Sequence, residues 1–327
     1  MLKVKDFRIG RVLGVGAFGK VHLATINDNP ELMFAVKILC FRKLLTQRLI
    51  DQLESEVSIL RQLYGCAFVA KLFATDFDNG KVKLIMEYVS GGELFYWLKK
   101  CGRFNEKMAR FYSAEIICAL RYIHNKGILY RDLKPENILI ASNGHIKLVD
   151  FGFATYEHEN IYMISGTPEY MSPEKLGSEE DGRASDYWGL GIILYEMICG
   201  DPPFYDESAE IVYHKILESQ AVFPHYVSPL ARSLITGLLN KNRANRLGAR
   251  GIHEITEHPF FEEINWDDAE NRRMEPPFIP RLCKNIISDV CSHQEENSSE
   301  DEGSVFRPYK HIKAMQPSKS NQFKGLE

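Results

Sequence analysis

The sequence is short of several things, and each shortage removes a class of function. It has no long apolar run: stretches such as Ile192-Ile193-Leu194 fall far below the length that crosses a bilayer. The opening residues, MLKVKDFRIG, contain no apolar leader core, and Leu2 stands where N-terminal myristoylation needs a glycine. Positive charge is not in excess. Lys and Arg number 40 against 44 Asp and Glu, for a net charge of -4, which argues against a broad nucleic-acid footprint. A local acidic groove for a basic partner stays open. The seven cysteines are scattered, at Cys40, Cys66, Cys101, Cys118, Cys199, Cys283 and Cys291, and no two form a C-x-x-C pair. Neither a zinc site nor a disulfide framework is expected, and buried thiols in a reducing compartment fit better. Together these absences predict a soluble cytoplasmic or nuclear protein that binds neither membrane nor nucleic acid.

What is present suffices for a large core: 45% of 327 residues are hydrophobic. From about Phe7 to Leu39 apolar and polar residues alternate with glycine punctuation, which predicts antiparallel strands. From Leu44 to Leu63, Leu45, Leu49, Leu53, Val57 and Leu60 recur at helical spacing. Lys83 to Val89 reads as a buried strand stopped by Gly91-Gly92. Beyond it Lys107 to His124 reads as an amphipathic helix, and Tyr187 to Cys199 as a helix buried on all sides. The order is a small sheet-rich lobe, a hinge and a larger helical lobe. Near Pro276 the texture changes to Pro-Pro-Phe-Ile-Pro and then a polar, acidic tail, predicted to be partly extended or disordered.

Three stretches carry chemistry. Leu13-Gly14-Val15-Gly16-Ala17-Phe18-Gly19-Lys20-Val21 contains G-x-G-x-x-G-x-V, whose glycines let backbone N–H groups approach phosphate oxygens. Taken alone it also fits a plain glycine-rich hairpin. It is not a dinucleotide-binding fingerprint, because Val21-His22-Leu23 continues as a strand. Next, period two puts Ala35 and Lys37 on one strand face, a small roof for a flat base beside an ammonium for its phosphates. A surface lysine is the bland alternative, and Glu56 on the following helix is the carboxylate that would fix Lys37 instead. The decisive stretch is Tyr130-Arg131-Asp132-Leu133-Lys134-Pro135-Glu136-Asn137, followed by Asp150-Phe151-Gly152. Asp132 can accept a proton from a hydroxyl, Lys134 can neutralise a phosphoryl group, and Asn137 and Asp150 offer oxygens to a hard cation.

With these residues in this order, the chain from Phe7 to about Phe261 resembles the eukaryotic protein kinases. Ser172-Pro173-Glu174, Asp186 and Arg246 continue the match. Tyr130 before Arg-Asp, Gly166-Thr167-Pro168-Glu169-Tyr170 and Pro277-Phe278-Ile279-Pro280 make it most similar to the AGC group, and within it to cAMP-dependent kinase catalytic subunits. The resemblance implies an α+β bilobal fold. A small antiparallel-sheet lobe with one main helix spans about 7–86, a hinge about 87–92, and a larger mainly helical lobe about 93–261. Residues 1–6 would be an N-terminal extension and 262–327 an AGC-type tail. It implies ATP as substrate, held by Leu13 to Val21, Ala35, Lys37, Met86, Glu87, Val89 and Glu93. Lys37 paired with Glu56 would hold the α/β-phosphates, and Asn137 and Asp150 would hold Mg²⁺. Asp132 would be the catalytic base with Lys134 on the γ-phosphate, and Thr167 with Lys134 matches serine/threonine kinases.

The likeness also implies peptide substrates with arginines N-terminal to the acceptor, received by Glu93, Glu136 and Glu169. Ile164, Pro168 and Met171 would form an apolar pocket for the residue after the acceptor. His214 stands where relatives are expected to carry a glutamate, which predicts weaker preference two residues before the acceptor. Met163 stands where the activation-loop phosphothreonine would be, and Gln52 where relatives place a helix histidine, so a loop carboxylate is expected to substitute for the phosphate on Arg131, with a phosphate on Tyr162 or Ser165 as the alternative. A cyclic-nucleotide-binding regulatory subunit is a candidate partner. The competing readings are an AGC kinase without cAMP control, a catalytically silent kinase-fold binding module, and a small-molecule phosphotransferase.

Overall fold

The computed structural model describes residues 7–16, 19–27, 29–40, 47–78, 80–159, 166–177 and 182–280. The small lobe is an antiparallel sheet with order β1-β2-β3-β5-β4, formed by β1 (Phe7–Val15), β2 (Gly19–Ile26), β3 (Asn29–Cys40), β4 (Leu72–Asp78) and β5 (Lys81–Glu87). Period two divides its side chains between two faces. Phe7, Ala24, Phe34, Val36 and Ile85 cluster on one. Leu39, Leu72, Leu84 and Met86 join the main core on the other, together with Ile59, Leu60 and Leu63 of the α1 region. Helix α1 (Gln47–Gln62) is the element expected from Leu45 to Leu60, with its start at 44–46 outside the described residues.

Two glycines are set by close approach. An added Cβ on Gly19 would lie 2.1 Å from the Ile38 carbonyl oxygen, so the third glycine of the loop is needed where β2 meets β3. In the hinge, an added Cβ on Gly91 would lie 2.3 Å from the Ile140 oxygen. Gly91 instead donates its N–H to that oxygen at 2.9 Å, and Gly92 accepts from Ile140 N at 2.8 Å.

The large lobe is built on α2 (Leu94–Cys101), α3 (Glu106–Asn125), α4 (Pro173–Leu176), α5 (Arg183–Cys199), α6 (Ala209–Glu218), α7 (Pro229–Leu238), α8 (His253–Thr256) and α9 (Trp266–Glu270). Helix α3 starts where the Asn105 side chain accepts from Met108 N at 2.9 Å. Helix α5 is buried from Ser185 to Ile198, as the almost wholly apolar run from Tyr187 to Cys199 predicts, and ends at Gly200 with φ 102°. Short strands β6 (Ile128–Leu129), β7 (Ile138–Ile140), β8 (Ile146–Leu148) and β9 (Thr155–Tyr156) pair as β6-β9 and β7-β8. They carry the loops of the site.

Beyond α9 the chain is pinned across the large lobe toward the hinge. Phe278 lies 4.8 Å from Trp97 and 6.4 Å from Tyr112, centroid to centroid, and Pro280 is buried beside Gly91. The acidic tail that follows lies outside the described residues. Cys66 and Cys118 are buried as expected, but Cys101 is exposed, because it is the last residue of α2 and faces away from the core. Among the described residues no helix is long and apolar enough to cross a membrane.

Candidate active site

The strand register assembles one wall of a cleft. Gly14, Val21, Lys37 and Leu84 are aligned across β1, β2, β3 and β5, and two residues along, Leu23, Ala35 and Met86 form the neighbouring row. Leu13 and Val15 flank Gly14 on β1, and Gly16 N donates to Gly19 O at 2.9 Å across the turn. Lys20 is exposed, and Ala17 and Phe18 lie outside the described residues. Met86 and Val89 are buried at the hinge. The Glu87 side chain is turned to Lys147, at 2.9 Å, which leaves the hinge backbone as its contribution to the cleft.

Lys37 Nζ donates to Glu56 Oε1 at 2.7 Å and to Asp150 Oδ1 at 3.2 Å. Burial opposes the Lys37 charge, but Asp150 and Glu56 outweigh it and hold the ammonium above its ordinary pKa. The same ammonium holds Asp150 below the ordinary carboxylate value, so that carboxylate is anionic as a cation ligand must be. The sheet, α1 and the loop after β8 thus meet at one charged point.

The catalytic loop hangs from α5. Asp186 Oδ1 accepts from Arg131 N at 2.7 Å, and Oδ2 accepts from Tyr130 N at 3.0 Å and meets His124 Nε2 at 2.8 Å. Burial works against this carboxylate, yet His124 and the two backbone N–H groups keep it below its ordinary pKa. Tyr130 also donates its hydroxyl to Val149 O at 2.6 Å and packs its ring 4.9 Å from Phe151. Arg131 and Asp150 are non-glycine residues with φ of 67° and 56°, backbone strain concentrated at the two ends of the site. Asp132 Oδ2 accepts from Lys134 Nζ at 2.8 Å and from Asn137 Nδ2 at 2.7 Å, and that amide also reaches Asp132 O at 2.9 Å. With its nitrogen so engaged, Asn137 is oriented to present its side-chain carbonyl to a cation. Asp132 Oδ1 faces Gly166, whose added Cβ would lie 3.6 Å away. Two oxygen donors, Asp150 and Asn137, fit Mg²⁺, which keeps waters and substrate oxygens for its other positions.

Below this point lies a cluster of acids. Burial and the neighbouring Glu136 push Glu93 up to about 7. Burial also raises Glu136, with Asp132 and Glu169 adding to it. One carboxylate oxygen of Glu136 and one of Glu169 are buried without a hydrogen-bond partner among the described residues. A fourth acid, Glu196, is missed by the sequence reading. It is buried on α5, accepts from the Tyr170 hydroxyl at 2.6 Å, and is raised to about 7 by burial, with Glu136 contributing. Its signal is the one acid inside the otherwise apolar run from Tyr187 to Cys199. His214, where the resemblance implies weaker preference two residues before the acceptor, is an exposed residue of α6. Pro168 begins the 3-10 turn that carries Glu169, Thr167 precedes it half-buried, and Met171 is buried just after. Ile164 and Met163 lie outside the described residues.

The activation segment is anchored at both described ends. Arg246 is fully buried and donates to both oxygens of Glu174, at 2.5 and 2.8 Å. Glu157 accepts from Arg183 Nε at 2.9 Å and Nη2 at 2.7 Å, and Glu159 accepts from the backbone N of Tyr156 at 3.4 Å. Glu157, one of the acids of this loop, is met by Arg183 with a two-bond fork.

The family model described as "Protein kinase domain" matches residues 7–261. Over 316 residues the chain is 68% identical to a probable cAMP-dependent protein kinase catalytic subunit of Encephalitozoon cuniculi, covering 96% of this chain and 98% of that protein. It is 40% identical over 272 residues to a catalytic subunit-like protein of Caenorhabditis elegans, covering 83% of this chain and 68% of the other. A cAMP-dependent kinase catalytic subunit of Dictyostelium discoideum is 39% identical over 315 residues, covering 95% of this chain and 48% of the other. With its site geometry, this similarity shows that the chain belongs to the protein kinase family, as an AGC-type enzyme resembling the catalytic subunits of cAMP-dependent kinases.

Proposed function

We propose that this kinase transfers the γ-phosphate of MgATP to serine or threonine in peptides carrying arginines N-terminal to the acceptor. The observation that carries the reading is the acid cluster of Glu93, Glu136, Glu169 and Glu196 beside the catalytic loop. Buried like charges with unpartnered oxygens are costly, and a guanidinium relieves that cost with two hydrogen bonds per carboxylate. Glu196 beside Tyr170 argues for an arginine site that does not depend on His214. Lys134 two residues after Asp132, and Thr167 in the Gly-Thr-Pro-Glu run, match the pattern of serine/threonine kinases and support a hydroxyl acceptor on an aliphatic side chain.

In this scheme Lys37, fixed by Glu56, binds the α/β-phosphates, and the backbone of the hinge binds adenine. Asn137 and Asp150 hold Mg²⁺, which would screen the phosphate charge when bound. Asp132 orients the acceptor hydroxyl and takes its proton through the oxygen facing Gly166, while Lys134 meets the transferred phosphoryl group. Control by a cyclic-nucleotide-binding regulatory subunit is supported by the names of the relatives, and co-purification with such a subunit, released by cAMP, is its test.

The test of the main reading is ATP turnover on a serine peptide with two preceding arginines, against the same peptide with alanines there. Turnover that favours the arginine peptide and is lost in Asp132→Ala supports the proposal. Equal turnover of both peptides removes the arginine claim, and no turnover by the wild-type chain favours a silent binding module.

A further inference from the structure

Lys37 can hold phosphates only while Glu56 stays against it, and Glu56 rides on α1. Whatever sets the pose of α1 therefore sets the site. Toward the sheet, α1 packs through Ile59 and Leu60, and Arg61 Nη2 donates to Thr75 Oγ1 of β4 at 3.3 Å. Those contacts lie within the small lobe and move with it. Toward the large lobe α1 makes a different set. Gln52 Nε2 donates to Gly152 O. Ser58 Oγ and Tyr156 Oη share a hydrogen bond at 3.0 Å, and Gln62 Nε2 donates to the same phenol oxygen. Ser58 and Gln62 are i,i+4 neighbours, so one strip of the helix presents both groups. A phenol hydroxyl can accept from one and donate to the other.

Tyr156 is itself held firmly by the large lobe. It pairs with Ile128 of β6, the strand that runs into the catalytic loop. Its ring packs against the main core and lies 5.6 Å from the ring of His158. The next residue, Glu157, donates its N–H to Gly127 O at 2.8 Å and carries the pair with Arg183 at the start of α5. Backbone, ring and neighbour all belong to the large lobe. The hydroxyl reaches across to α1.

We propose that the Tyr156 hydroxyl is the tie that holds α1, and with it the Lys37–Glu56 pair, against the activation segment, so that the active alignment stands without a phosphate at position 163. That position is a methionine, which has no hydroxyl to phosphorylate. A neutral tie made by residues always present needs no modifying enzyme. Tyr156 is thus a positioning residue, acting through Glu56 and touching neither nucleotide nor peptide. The kinetic part of this inference rests on the kinase reading above.

The test begins with Tyr156→Phe, which keeps the ring and removes only the hydroxyl. Expected are a loss of about tenfold in kcat, a peptide KM within about twofold of wild type, and faster amide exchange along 47–58. On a Glu56→Gln background the same substitution costs nothing further, since the tie works through Glu56. Ser58→Ala combined with Gln62→Leu removes the partners from the other side and reproduces the loss. Wild-type kcat with unchanged exchange in these variants overturns the proposal. So does a full repeat of the loss on the Glu56→Gln background. Exchange is read on the full chain without nucleotide, so an inactive wild-type protein would count against the proposed function while the tie is still tested.

Discussion

A carboxylate buried beside other carboxylates keeps its proton too long, and Glu93 and Glu196, each raised to about 7, are in that state. Their folded pKa lies above the unfolded value, so the folded chain holds more protons across the window between. The stability these groups contribute is complete below the unfolded value and falls as pH rises toward about 7. An arginine peptide wants the opposite, the ionised pair. KM for an arginine peptide is therefore expected to fall as pH rises from about 6 to about 8, with Glu93→Gln flattening the profile. Steady-state kinetics with arginine and alanine peptides at matched ionic strength measure this, and an equal slope for both peptides would refute it. The sequence displays Asp132, Lys134, Asn137 and Asp150 openly, because their chemistry is packed into two short runs. Glu196 is hidden for a physical reason. It meets Tyr170 and Glu136 only through the packing of α5, and no spacing along the chain expresses that.

Between elements, Arg246 and Glu174 form a two-bond ion pair with both partners buried. The guanidinium also donates to Ala184 O at 2.7 Å and Asn240 O at 3.0 Å, so it joins α4 and the start of α5 to the turn after α7. Arg246→Met leaves a buried unpaired carboxylate and should cost about 3–5 kcal/mol. Adding Glu174→Leu should recover most of that, because the cost comes from the stranded charge. Urea unfolding of the two variants decides between this and a simple loss of packing, in which the double variant would be the worse. At this scale β1, β2 and β3 are legible through alternation, and α5 through its lack of a polar face. Strand β4 is not. Its sequence LFATDFD buries Leu72 and exposes Phe73, Phe77 and Asp78, because it is an edge strand held by β5 and not by its own side chains.

At the scale of the molecule, two lobes meet at a hinge that is stitched to the larger one. Trp97 Nε1 donates to Gly91 O at 2.7 Å, and Phe278 packs tilted against that indole. The turn of chain before Phe278 lies on Gly144, where an added Cβ would meet Phe278 O at 2.6 Å. Phe278 is half-buried, so Phe278→Ala should cost about 2 kcal/mol of stability. Because its contact is with the indole that holds Gly91, the same variant should weaken ATP binding by a small factor. Thermal unfolding and a nucleotide titration of one preparation measure both. A stability loss with wild-type nucleotide affinity would mean that the hinge does not feel this contact.

The crossing segment also changes where the folding unit ends. The match to the kinase-domain family model stops at Phe261, yet the packing continues through α9 and Phe278 to Pro280. A chain shortened to the limit of the kinase-domain match would bare the aromatic face of Trp97 and Tyr112 and unload the back of Gly91. The extent of the kinase-domain match and the extent of the packed core are separate lengths in this protein, and the second is the longer.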